Sequence, residues 1–131
     1  MKQVLVDTSI WIEFFKHEDG KESEVLKDLL AKDLVVLAGP ILTELFQGFK
    51  TKKEIEILKE IFAALPMLKT EDNLWERAGL LSHEIRKHGH TLKTMDAIIA
   101  QCALDNNCML YSIDKDFQLI AQYSSLELLP I

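Results

Sequence analysis

Residues Met1–Phe15, MKQVLVDTSIWIEFF, set one acid between two apolar runs. Gln3–Val6 is short, apolar and β-branched, which reads as a buried strand. The run behind it, beginning at Thr8, reads as a helix packed on its apolar side. Asp7 stands at the junction, and charged residues are rarely buried without a partner. Two readings remain open. Asp7 caps the helix by accepting a backbone N–H, or it is one of several acids gathered at one end of a sheet.

Two more segments resemble the first strand: LVVLA (Leu34–Ala38) and CMLYSI (Cys108–Ile113). LELLP (Leu126–Pro130) is a weaker fourth and LPMLK (Leu65–Lys69) a weaker fifth. Between them lie helical periodicities. Ile55, Leu58, Ile61, Phe62 and Leu65 recur at helical spacing, as do Leu74, Ala78, Leu81 and Ile85, where Gly89 supplies a stop. Ile98, Ile99, Ala100, Ala103 and Leu104 form another stripe, and Pro40 opens a helix toward Phe49. Short apolar strands alternating with longer helices predict an α/β sandwich around a mostly parallel sheet. Sites in such sheets form beyond the carboxyl ends of the strands. Asp7 and Asp114 both lie at such ends.

Composition narrows the function. The chain has 131 residues, enough for one compact domain with its own core. Acids outnumber bases 21 to 15, a net charge of −6, which argues against binding nucleic acid by bulk positive charge. It leaves open a metal-assisted enzyme acting on nucleic acid, because bound cations reverse the local field. The two cysteines, Cys102 and Cys108, have no zinc-ligand spacing and read as free buried thiols of a cytosolic protein. Asp7 and Glu13 interrupt the N-terminal apolar run, unlike a signal peptide, and no stretch is long enough to span a membrane. A soluble, cytoplasmic protein is the expectation.

Four acids stand out. Asp7 and Asp114 each end a strand and open a helix, so capping accounts for either. Asp96 heads the stripe of Ile99, Ala100 and Ala103, facing inward or toward a cleft. A free charge there is costly, and the positive end of the helix dipole offsets only part of that cost. Glu44 lies roughly opposite the stripe of Leu42, Leu45, Phe46 and Phe49, so periodicity makes it a solvated side chain. His88 and His90 form an HxH in a loop that reads as solvated. Lys50, Lys52 and Lys53 make the basic stretch KTKK, which reads as a solvated helix start or a track for a phosphate backbone.

Together, VLVDTSIWIEFF, GPILTELFQGF, TLKTMDAIIAQCAL and MLYSIDKDF resemble the PIN domain, in the form found in VapC-type toxins of toxin–antitoxin pairs. No one motif is specific; four in this order and spacing are. The resemblance spans nearly the whole chain and implies a single PIN domain over residues 1–131. It further implies a three-layer α/β/α sandwich with a sheet of four to five strands. It implies a ribonuclease dependent on Mg²⁺ or Mn²⁺, with Asp7, Glu44, Asp96 and Asp114 as metal ligands. Thr8, Ser9, Ser112 and Asp116 would then support those ligands or hold water. Carboxylates are hard oxygen donors suited to such ions. The family pattern also implies an RNA substrate, an inhibiting antitoxin and a homodimer, with apolar surface beside Ile41, Glu44 and Gly48 or along Trp11, Phe14 and Phe15 as candidate dimer contacts.

Rival readings fit less well. A dehalogenase-type phosphatase needs a second acid two residues after the first, where this chain has Ser9. A receiver domain needs a lysine near its end that is not visible. A housekeeping RNA-processing nuclease and a non-catalytic binding module on the same fold are the remaining alternatives.

Overall fold

The computed structural model describes residues 1–130. Its described elements run β1 (Val4–Val6), α1 (Thr8–Lys16), α2 (Lys21–Ala31), β2 (Val35–Val36), α3 (Gly39–Gly48), α4 (Lys52–Ala63), α5 (Leu74–Arg86), α6 (Thr94–Asp105), β3 (Met109–Tyr111) and α7 (Lys115–Gln122). The strands form a parallel sheet in the order β2-β1-β3, with Val4 opposite both Val35 and Met109. β1 lies at the centre with all three of its residues buried, which is why it has no polar alternation. The result is the α/β fold around a parallel sheet that the alternation of strands and helices predicts.

The sheet differs from the expected four to five strands in one respect. LPMLK and LELLP both join it in parallel, but only through single bridges, Leu37 to Met67 and Leu110 to Leu128. Each bridge is held by two backbone bonds: Pro66 O and Leu68 N bracket Leu37, and Glu127 O and Leu129 N bracket Leu110. Pro66 has no N–H to extend the first of these ladders toward its N-terminal side, so that segment stops short of a strand.

Local signals account for the helix ends. Thr51 caps α4 in a reciprocal capping box with Glu54. Gly89 adopts φ +87 just beyond α5, in the left-handed region that favours glycine. Cys102 and Cys108 are free and buried, as expected, and burial pushes the Cys102 thiol up to about 11. Among the described residues, no helix is long and apolar enough to cross a membrane.

The core draws on every layer. Trp11 is fully buried and packs edge-on against Phe62 at 5.0 Å between centroids. Ile41 is fully buried as well. Both are therefore taken up by the chain's own core, which corrects their assignment to surfaces for a second copy. Large apolar side chains that do stay exposed include Trp75 and Leu80 on α5.

Candidate active site

The site lies beyond the carboxyl ends of β1 and β3. Asp7 N donates to Tyr111 O at 2.9 Å, carrying the β1–β3 ladder one residue past the strand. Asp7 is buried and caps α1. Its Oδ2 accepts from Ser9 N at 3.3 Å, Ser9 Oγ at 2.8 Å and Ser112 Oγ at 2.8 Å. All three bonds fall on one oxygen, which leaves Oδ1 available to another partner. Capping and ligation are thus compatible in this side chain.

Ser112 links the two strand ends. While donating to Asp7, its Oγ accepts from Asp114 N at 3.0 Å. Asp114 caps α7 through Oδ1, which accepts from Asp116 N at 2.9 Å. Asp96 enters from the first turn of α6 and is buried, on the same buried face as Ile99, Ala100 and Ala103. Its Oδ2 is buried without a hydrogen-bond partner. Burial, the hydrogen bond with Asp116 and the negative charges of Asp114 and Asp116 push the Asp96 carboxyl up to about 7, with Lys93 pulling the other way.

Asp96, Asp114 and Asp116 offer carboxylate oxygens that all lie within 4.8 Å of one another. Oxygens sharing one Mg²⁺ at about 2.1 Å each lie up to about 4 Å apart. Small side-chain rotations would close the trio on such an ion. The orphaned Asp96 oxygen and the all-carboxylate donor set fit a hard divalent cation.

The four predicted acids thus converge unevenly. Asp96 and Asp114 belong to the tightest group, together with Asp116. Asp7 joins through Ser112. Glu44 is half-buried rather than solvated, and Thr8 Oγ1 donates to its Oε1 at 2.9 Å. The buried positions of α3 are Ile41 and Leu45, so Glu44 sits at the flank of the core stripe instead of opposite it. The sequence contains the signal in Ile41, which the Leu42-based stripe omits.

Beside Glu44, a cavity of about 470 Å³ is lined by Phe15, Phe49, Lys16 and Lys50 among others. Lys50 therefore shares this cavity with Glu44, and Lys52 and Lys53 are exposed in the first turn of α4. Lys16, contributed by the last turn of α1, was not singled out by any motif.

The PIN domain family model matches residues 4–123. The chain belongs to the PIN domain family. Ribonuclease VapC11 of Mycobacterium tuberculosis (strain ATCC 25618 / H37Rv) is 26% identical over 128 residues, covering 95% of this chain and 96% of that protein. VapC ribonuclease Mb1587 of Mycobacterium bovis matches to the same extent, at 26% identity. Among solved structures, VapBC2 from Rickettsia felis bound to a promoter DNA fragment aligns with TM-score 0.77 at 20% identity, over 96% of each chain. DNA-bound VapBC from Salmonella typhimurium aligns with TM-score 0.78 at 16% identity, over 98% of each chain. At such identities the two structures establish the fold.

Proposed function

We propose that this PIN domain, taken as one unit over residues 1–131, is a divalent-metal-dependent endoribonuclease. In this reading it is the toxin of a type II toxin–antitoxin pair, working in the cytoplasm as a homodimer and held in check by a separate antitoxin protein. The observation that carries the reading is the trio of Asp96, Asp114 and Asp116, whose carboxylate oxygens lie within 4.8 Å of one another, together with the Asp96 oxygen that has no hydrogen-bond partner. The VapC relatives, named as ribonucleases and covering 95% of this chain, support the substrate class.

Asp7, Glu44, Asp96 and Asp114 would hold Mg²⁺ or Mn²⁺, with Asp116 close enough to share the ion or its water. When bound, the ion supplies an activated water and offsets charge on the transferring phosphate. The chain's own residues provide the orientation. Ser9 and Ser112 fix Asp7 by two hydroxyl donations to Oδ2. Thr8 keeps Glu44 turned toward the site. Lys50, Lys52 and Lys53 would follow the RNA backbone away from Glu44. Water would attack phosphorus in line with the departing ribose oxygen, so that one P–O bond forms as the other breaks, the water losing a proton and the departing oxygen gaining one.

The test is cleavage of single-stranded RNA by carefully stripped protein, with and without added Mg²⁺ or Mn²⁺. Cleavage should require the ion and stop with EDTA. Persistent cleavage in EDTA rejects the metal, and absence of cleavage with every ion rejects the enzyme.

A further inference from the structure

The eight residues Arg86–Lys93, RKHGHTLK, carry three Lys or Arg and two His and no acid, in a chain whose net charge is −6. They form the end of α5 and the loop that leads into α6, and Asp96 stands in the first turn of α6. Lys93 is near enough to Asp96 to stabilise its charge. Lys87 pairs with Glu84, whereas neither Arg86 nor Lys93 makes an ion pair among the described residues. Lys93 thus stands beside the acid cluster, and Arg86 adds an exposed cation at the other end of the loop.

The two histidines are organised. His88 stacks on Tyr123 with centroids 4.2 Å apart and planes 17° from parallel, and His90 leans on the same ring at 5.9 Å. Gly89, at φ +87, reverses the chain so that both imidazoles reach one phenol ring. Buried Leu92 anchors the loop behind them. His88 itself is exposed, so one face of its ring rests on Tyr123 and the rest meets solvent. Tyr123 ends α7, whose other end is capped by Asp114. At about 1.5 Å per residue, that helix puts the stacked rings within a few nucleotides of the acids.

We infer that this loop is a contact track for single-stranded RNA flanking the cleaved bond. Lys93 and Arg86 meet backbone phosphates, and one base stacks on the outer face of His88. Stacking on aromatic side chains beside a basic track is how sequence-tolerant single-strand binding works, because every base has a π face. The combination of flat ring, free cations and a neighbouring phosphodiester site favours RNA over an acidic peptide. The inference rests on the ribonuclease reading and extends it to the loop that leads into α6.

The test uses the full chain with Ca²⁺ in place of Mg²⁺, and a short fluorescein-labelled single-stranded oligoadenylate. Affinity is read by anisotropy across a salt series, with sedimentation and melting as controls. His88→Ala should weaken binding about tenfold, as expected for one lost base stack. His88→Trp should restore it. Lys93→Ala and Arg86→Ala should each lower the salt slope by about 0.7. Equal affinity in the parent and His88→Ala overturns the track while leaving the ribonuclease intact. Equally weak binding by His88→Ala and His88→Trp shows a role in loop structure and also overturns it. So does an altered sedimentation profile with unchanged RNA affinity, which assigns the loop to a protein contact. If the parent neither binds the oligonucleotide nor cleaves RNA with Mg²⁺, the ribonuclease reading falls and this inference with it.

Discussion

Thr8 Oγ1 donates to Glu44 Oε1 at 2.9 Å, joining residues 36 apart in sequence. The residue following the first acid therefore aims the second. Replacing Thr8 with Val removes the donor and keeps the shape. Stability should fall by about 1 kcal/mol, the net value of one such bond. Cleavage should fall about tenfold as Glu44 turns to solvent, a loss of about 1.4 kcal/mol in transition-state stabilisation. Thr8→Ser should retain both. Kinetics and denaturant melts of the two variants, side by side, check this; full activity in Thr8→Val would detach Glu44 from Thr8.

Asp96→Asn separates function from stability. The asparagine fills the same space without a buried charge. If Asp96 holds the metal as proposed, cleavage should drop by about 10²-fold or more. The metal-free protein at pH 8 should nonetheless melt roughly 3–6 °C above the metal-free parent, because a charge facing Asp114 and Asp116 is gone. Added Mg²⁺ should then stabilise the variant less than the parent. Melting curves in EDTA and in Mg²⁺ give the answer, and an Asp96→Asn protein that melts lower in EDTA would speak against crowded charge.

The pH dependence of the metal-free protein follows from the same residue. Asp96 titrates at about 7 when folded, against about 4 in an unfolded chain. Between those values the folded state keeps a proton that the unfolded chain has released. Its contribution to stability is therefore full below about pH 4 and lost as pH rises toward about 7. A divalent cation should offset the loss at the upper end. Melting temperatures across this range, with EDTA or Mg²⁺, should diverge as pH rises; parallel profiles would contradict the assignment.

Away from the site, Arg77 on α5 pairs with Asp105 on α6, whose side chain is only 7% exposed. Gln101 supplies a second donor to Asp105 at 2.8 Å. Arg77→Leu leaves a buried carboxylate with one neutral partner and should cost about 3 kcal/mol. Cleavage per folded molecule should be unaffected. Chemical denaturation reads the first outcome and titrated activity the second.

The α/β alternation was legible because the strands are continuous apolar runs and the helices carry clear stripes. Asp7 and Asp114 were legible by position, and Asp96 by its place at the head of a buried stripe. Glu44 was not, since its orientation depends on Thr8 across the fold and on the choice of Ile41 as a core residue. Asp116 was placed in a supporting role by family pattern. Its proximity to Asp96 depends on how α7 meets α6, which no local periodicity encodes. The outer sheet segments looked like strands because they are apolar, but each joins the sheet by one bridge, and Pro66 removes the donor that would lengthen the first.

The bond from Ser112 to Asp7 spans 105 residues. β1 is made first and lies at the centre of the sheet, yet its neighbour β3 is among the last elements of the chain. A nascent chain that has reached only α6 can hold Asp7, Glu44 and Asp96, but neither Ser112 nor Asp114. Assembly of the acid cluster must therefore await the emergence of β3, Ser112 and Asp114 from the ribosomal exit tunnel. If the protein cuts RNA, its partly synthesised forms are harmless to the ribosome that makes them, and the interval before β3 docks is time for an inhibitor to be at hand.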